Sequence, residues 1–229
     1  MFYDSTYLLI LVGALLSFLA SSMVKNRFAQ YSKVRSRAGL TGAQVAQELL
    51  HSQGIYDVSV QPIEGSLTDH YDPSQKVLRL SQPVYYSSSI AAIGVAAHEC
   101  GHAVQHDRGY VPLAIRTAIV PVANFGAKFS WPLFLIGLFL GGDISFFFLE
   151  GGILLFLAAL AFQLVTLPVE FDASARALRL LESERFLASD EVGMARKVLT
   201  AAAMTYVASV AASLLQLLRL LMLANRRRR

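Results

Sequence analysis

The residues with the clearest chemical potential lie in one short segment, His98-Glu99-Cys100-Gly101-His102, which has the pattern H-E-x-x-H. A spacing of four residues places the two imidazoles on one face of a helix, one turn apart, where they can share a metal ion. Glu99 then stands beside the open coordination position, where a water would be activated. The pattern predicts a zinc hydrolase in which His98 and His102 bind one Zn²⁺ per chain and Glu99 is the catalytic base.

The plainer interpretation of this motif is a pair of histidines on the surface of a helix. Residues 90–97 are almost wholly apolar, so the helix that carries the motif must be largely buried. Ser87-Ser88-Ser89 offers an N-cap, and Gly109 and Pro112 offer a stop. These signals predict a helix from Ile90 to about Asp107.

A third metal ligand has to come from another segment. His106 lies about 12 Å from His98 on a straight helix, too far to share one ion, so we expect it to lie outside the coordination sphere or to be exposed. The segment 168–174 (PVEFDAS) offers Glu170 and Asp172, which point about 200° apart on a helix, so only one can face the metal. Glutamate commonly completes a two-histidine zinc site, which favours Glu170. The alternative is a solvated acidic pair at a helix start.

Other polar and aromatic groups have competing interpretations. The cluster 68–72 (TDHYD) could border a cleft, but it is more readily a polar turn that fixes a small sheet. Tyr85, Tyr86 and Tyr206 are possible oxyanion donors, although aromatic residues near a bilayer more often anchor its interface. Cys100, the only cysteine, excludes an intramolecular disulfide and is expected to be a small buried residue.

Composition places the chain in a membrane. Of its 229 residues, 55% are hydrophobic and 16% are charged, which is apolar for a soluble domain. Residues 7–24 carry no charge and predict a first transmembrane helix. A cleaved signal peptide is the alternative, but the residues before this stretch include Asp4 and no lysine or arginine.

Residues 25–112 have the composition of a small cytoplasmic domain, which would be the zinc-peptidase domain. Thr41 and Gln44 form a predicted capping box, and Gly54 is a plausible stop for the helix that follows it. Short alternating runs then predict a sheet of two or three strands, at Tyr56–Val60, Pro62–Thr68 and Lys76–Ser81.

The remaining chain is dominated by apolar stretches. Residues 113–167 are predicted to form a helix and a transmembrane hairpin, with its turn at Gly141-Gly142-Asp143 or at Glu150-Gly151-Gly152. Residues 168–200 would form a cytoplasmic helix that carries the third zinc ligand. Residues 201–224 would form a fourth transmembrane or interfacial helix, followed by a basic tail at 225–229.

The basic residues predict orientation in the membrane. Two flanking segments are basic and are therefore expected in the cytoplasm, namely Lys25, Arg27, Lys33, Arg35 and Arg37, and Arg176, Arg179, Arg185, Arg196 and Lys197. A last helix that crosses fully would put the terminal arginines outside, against the same rule. Those four arginines equal the whole net charge of +4, so the body offers no basic surface for nucleic acid.

Four segments resemble the YugP-type neutral zinc metallopeptidases, small bacterial membrane proteins related to the gluzincins, the group that includes HtpX and the prenyl-protein proteases. The segments are GLTGAQVAQELL, LTDHYDPSQKVLRLS, HECGHA and PVEFDASARAL, within a resemblance that covers about residues 1–225. It implies that His98, His102 and Glu170 bind zinc and that Glu99 is catalytic. HtpX-like enzymes have an aspartate where this chain has Ser174, so the hydrogen bonds behind the ligands cannot be copied from them.

Together these patterns predict an α+β membrane protein, mostly helical, with three to four transmembrane helices and a small cytoplasmic gluzincin-like domain containing a short β-sheet and the HExxH helix. The expected activity is that of a zinc metalloendopeptidase, which would hydrolyse protein or peptide substrates at the cytoplasmic face of the cell membrane. One alternative is a non-catalytic scaffold held by a structural zinc. Another is intramembrane proteolysis, which the short apolar run 90–97 makes less favourable.

Overall fold

The computed structural model describes residues 6–227. Asp4 and the last two residues of the predicted basic tail lie outside the described residues. The chain divides into two compact units. One comprises the residues up to Ala20, Ile115–Leu167 and the residues from Thr205 onward, and the other comprises Ser21–Ala114 and Pro168–Met204.

Helices dominate the described part of the chain. They are α1 (Tyr7–Tyr31), α2 (Gly42–Ser52), α3 (Gln82–Tyr85), α4 (Ile90–Asp107), α5 (Val111–Phe139), α6 (Asp143–Ser183) and α7 (Ser189–Arg227). Four of these, α1, α5, α6 and α7, are long and apolar enough to cross a membrane. The mostly helical fold and the predicted number of apolar spans are therefore confirmed.

The first unit contains a tightly packed helical hairpin. α5 ends at Phe139 and α6 begins at Asp143, which confirms the predicted turn at residues 141–143. The alternative turn at 150–152 is wrong, because these residues lie inside α6, where glycine lets the helices approach closely. A Cβ atom on Gly152 would lie 2.8 Å from the backbone nitrogen of Phe134.

The second unit is built around α4, whose predicted bounds are confirmed. The Ser89 hydroxyl accepts a hydrogen bond from the Ala92 amide and caps the helix, as expected. Gly109 follows the helix with a φ of +61°, a conformation that glycine adopts without strain. α2 begins with the predicted capping box between Thr41 and Gln44, and its buried face packs against α4 in one apolar core.

A three-stranded sheet completes this unit, with β1 (Ser59–Ile63), β2 (His70–Asp72) and β3 (Val77–Ser81). The strand order is β1-β3-β2, so β2 is an edge strand; β1 pairs with β3 in parallel and β2 pairs with β3 in antiparallel orientation.

The number of strands and the position of the third match the prediction, whereas the bounds of the first two were wrong. Residues 64–67 leave the extended conformation, since Gly65 and Leu67 have φ angles of +100° and +58°. The second strand therefore begins only at His70.

Candidate metal centre

Three side chains of the second unit converge on one point. The Nε2 atoms of His98 and His102 lie 3.3 and 3.6 Å from the same carboxylate oxygen of Glu170, Oε2. One donor atom from each residue lies within 4.8 Å of the other two. Among the described residues, this is the group whose donors could hold a metal ion together. Two imidazoles and one glutamate form the donor set that catalytic zinc takes in several hydrolases, so the residues fit zinc.

Glu99 lies beside these residues, and its negative charge contributes to the raised pKa of His102. Its side chain belongs to a residue that is only 7% exposed, and no described residue forms a hydrogen bond with its carboxylate. A carboxylate without a hydrogen-bond donor from the protein can accept a hydrogen bond from a water.

Each imidazole also has a hydrogen-bond contact at Nδ1, the ring nitrogen that does not face Glu170. His98 Nδ1 lies 3.1 Å from Ser174 Oγ, and His102 Nδ1 lies 3.0 Å from Gln105 Oε1. These contacts leave both Nε2 atoms facing Glu170. Hydrogen bonds of this kind fix the ring orientation of metal-binding histidines.

The contact to His102 continues into a longer chain of hydrogen bonds. The Gln105 amide nitrogen donates to the Val169 carbonyl oxygen and to Asp172 Oδ2, both at 2.8 Å. Arg176 Nε in turn donates to Asp172 Oδ2 at 2.6 Å. Asp172, the rival third ligand, thus turns its carboxylate toward Gln105 and Arg176.

Sequence reasoning missed Gln105 and left the role of Ser174 open. The signal for Gln105 was its position three residues after His102, which puts the two side chains on neighbouring parts of one helix face. In the structure, the Ser174 hydroxyl itself contacts His98 Nδ1.

Burial and neighbouring charges shift the pKa values of two of these side chains, His102 and Glu170. Burial alone would lower the pKa of His102, but its contact with Glu170 and the negative charges of Glu99 and Glu170 raise it above the ordinary value. Glu170 follows the predicted transmembrane hairpin, which ends at residue 167. Burial alone would raise its pKa, but its contacts with the two histidines lower the pKa well below the usual range. The negative charges of Glu99 and Glu170 therefore favour a proton or another positive charge at this position.

The other candidate residues lie elsewhere. His106 is exposed, and its Nδ1 lies 2.9 Å from the Tyr71 hydroxyl. Asp69 Oδ1 accepts hydrogen bonds from the Ser81 amide at 2.7 Å and from the Ser81 hydroxyl at 3.0 Å. The cluster 68–72 thus helps to hold the sheet.

The aromatic residues and the cysteine were the remaining candidates from the sequence. The rings of Tyr85 and Tyr86 pack against each other at 4.8 Å between centroids. Tyr206 belongs to the other unit. Cys100 is fully buried, as expected.

Comparison with known proteins shows the family to which this chain belongs. Residues 6–225 match the family described as "Putative neutral zinc metallopeptidase", and because the match spans nearly the whole chain, the protein belongs to that family. It is 50% identical over 218 residues to "Putative membrane protease YugP" of Bacillus subtilis (strain 168), covering 95% of this chain and 96% of that relative. No solved structure matches the chain. The resemblance expected from the sequence is confirmed.

Proposed function

We propose that this protein is a gluzincin-like zinc endopeptidase that acts at the cytoplasmic surface of the cell membrane. The observation that carries the proposal is the convergence of His98, His102 and Glu170, with the charge of Glu99 close enough to act on His102. Membership of a family described as a zinc metallopeptidase supports the same reaction class.

Each residue of the site has a distinct role in this proposal. His98 and His102 bind zinc through Nε2 and Glu170 through its carboxylate. When bound, zinc polarises a peptide carbonyl and makes a water more acidic. Glu99 removes a proton from the attacking water and delivers it to the leaving amine, which is general base and then general acid catalysis by one carboxylate.

The edge of the small sheet offers a place for substrate backbone. β2 is an edge strand, and it packs against α4, the helix that carries the motif. An extended peptide can add to such an edge through main-chain hydrogen bonds, without a deep side-chain pocket. We therefore expect protein or peptide substrates to be recognised mainly through their backbone.

The membrane placement rests on the apolar helices and the basic segments. Four helices are long and apolar enough to cross a bilayer, and the relative with 50% identity is called a membrane protease. The lysines and arginines at 25–37 and 176–197 favour the cytoplasm for the site.

A scaffold with a structural zinc is the second candidate function. Structural zinc sites commonly have four protein ligands, whereas only three donors converge among the described residues. The buried Glu99 would also serve no purpose in a closed site. Both observations favour the peptidase.

Replacement of the general base tests the proposal directly. In detergent-purified protein, Glu99→Gln should retain one zinc per chain and lower the rate of casein cleavage by about 10²- to 10⁴-fold. Glu48→Gln is the matched control, because Glu48 is exposed on α2. Cleavage by Glu99→Gln at the wild-type rate would refute the assignment, and a wild-type protein that binds zinc without any cleavage would favour the scaffold.

A further inference from the structure

We infer that Gln105 is a positioning residue that fixes which nitrogen of His102 is free to bind metal. The inference rests on the proposed function, because it concerns how a zinc ligand is prepared. Gln105 is fully buried, and so is Val169, whose carbonyl oxygen accepts a hydrogen bond from the Gln105 amide. A buried amide of this kind has to satisfy both of its polar ends.

The surroundings of the Gln105 amide leave it one orientation. One end faces two acceptors, the Val169 carbonyl oxygen and the Asp172 carboxylate, each at 2.8 Å. Neither group can donate a hydrogen bond, so the NH₂ group must occupy this end. The amide oxygen is therefore the atom that faces His102, at 3.0 Å from Nδ1.

This orientation dictates the tautomer of the imidazole. An amide oxygen only accepts hydrogen bonds, so His102 Nδ1 must carry a hydrogen and donate it. In the neutral ring, Nε2 is then left with its lone pair, and Nε2 is the atom that faces Glu170 at 3.6 Å. Gln105 thus prepares the form of His102 that a metal requires.

Asp172 and Arg176 hold this arrangement in place. Arg176 Nε donates to the same carboxylate oxygen that accepts from Gln105, at 2.6 Å. The Arg176 guanidinium also lies over the Tyr110 ring, 5.6 Å from its centroid. An ionised Asp172 remains an acceptor, which prevents the amide from rotating by 180°.

The other metal-binding histidine lacks such a constraint. Its Nδ1 contacts the Ser174 hydroxyl at 3.1 Å, and a hydroxyl can either donate or accept. Ser174 therefore orients His98 without selecting its tautomer. Zinc affinity should therefore depend more strongly on Gln105 than on Ser174.

Zinc affinity separates these roles. Full-length protein in detergent is titrated with Zn²⁺ against a chelating dye of known affinity, and the melting temperature is measured with and without zinc. Gln105→Met keeps the side-chain length without the amide and should bind zinc about 10- to 100-fold more weakly. Ser174→Ala, the matched control, should lose much less affinity.

Asp172→Ala serves as a second variant should Gln105→Met not fold, since the Asp172 side chain is partly exposed. It removes one of the two acceptors and should weaken zinc binding to an intermediate degree.

A purely structural role for Gln105 would lower the melting temperature of the metal-free protein and leave zinc affinity unchanged, which would overturn the inference. Wild-type zinc affinity in both variants, with an active wild-type enzyme, would overturn it while leaving the proposed function intact. A wild-type protein that binds no zinc would overturn both.

Discussion

Gly101 lies directly against the backbone of Ala173. A Cβ atom at position 101 would be 2.5 Å from the Ala173 carbonyl oxygen, a distance that carbon atoms do not tolerate. α4 and α6 therefore meet backbone to backbone at this point. Since His102 follows Gly101 and Glu170 lies one turn before Ala173, the close approach brings these two candidate ligands together.

Substitution of Gly101 should therefore disrupt the candidate metal site. In Gly101→Ala the new methyl group has to push two helix backbones apart, and overpacking of this kind costs about 1–3 kcal/mol. We expect a lower melting temperature and the loss of stoichiometric zinc. Zinc content by atomic emission and thermal unfolding in detergent measure the two effects.

Gly193→Ala provides the matched control for the cost of a methyl group on a helical glycine. Gly193 lies within α7, and a Cβ atom there would meet nothing within 4 Å. Alanine favours the helix over glycine by about 0.5–1 kcal/mol, so this variant should be slightly more stable and keep its zinc. Full zinc occupancy and unchanged stability in Gly101→Ala would contradict the argument from helix contact.

The two acidic residues of α6 should respond differently to removal. Glu170→Ala deletes the carboxylate that faces both histidines and should abolish stoichiometric zinc binding. Asp172→Ala should keep one zinc per chain at saturating metal, because this carboxylate acts through Gln105. Metal analysis after equilibration with excess zinc distinguishes them. Zinc retained in Glu170→Ala and lost in Asp172→Ala would reverse the assignment.

Local patterns were sufficient to predict much of this fold. The bounds of α4 follow from a serine cap and a glycine stop, which act within a few residues. The start of α2 follows from the Thr41–Gln44 capping box. The strand β2 was misplaced because its start depends on the left-handed conformation of Leu67, a residue type that gives no such signal.

The site was predictable where one helix carries the pattern and less so where two helices have to meet. The motif 98–102 specifies its own spacing. The roles of Gln105 and Asp172 depend on how α6 is rotated against α4, which the contact at Gly101 determines. The sequence pattern of either helix alone does not indicate how the two helices are rotated against each other.

The metal-free protein should lose stability as the pH rises. Because the folded state raises the pKa of His102 above its ordinary value of 6.5, the protonated ring stabilises the fold at low pH, and this contribution is lost as the pH rises through the folded pKa. Above that pH the negative charges of Glu99 and Glu170 are no longer balanced by a positive charge on His102. Bound zinc replaces the proton, so zinc-loaded protein should not show this loss.

Melting temperatures from pH 6 to 9, with chelator or with excess zinc, test this expectation. Zinc should raise the melting temperature more at the alkaline end of the range than at the acidic end. A metal-free protein that became more stable between pH 6 and 9 would contradict the proposed charge balance.

Membrane orientation can be measured without first removing the native cysteine. Cys100 is fully buried, and burial raises the pKa of its thiol well above the usual range. Thiolate is the form that reacts with maleimides, so the wild-type protein should remain unlabelled until it is denatured. Labelling of native wild-type protein at the rate of an exposed thiol would show that the helix α4 opens.

New cysteines at exposed positions should then report the two sides of the membrane. Ser66 is exposed in the unit that carries the metal site, and Gly141 is exposed in the turn between α5 and α6. The basic segments predict that an impermeant maleimide labels Ser66→Cys only in inside-out vesicles and Gly141→Cys only in right-side-out vesicles. Asn225→Cys should follow Gly141→Cys if α7 crosses the bilayer fully, despite the terminal arginines. Ser66→Cys labelled in right-side-out vesicles would place the candidate peptidase site outside the cell, and Asn225→Cys labelled together with Ser66→Cys would show that α7 does not span.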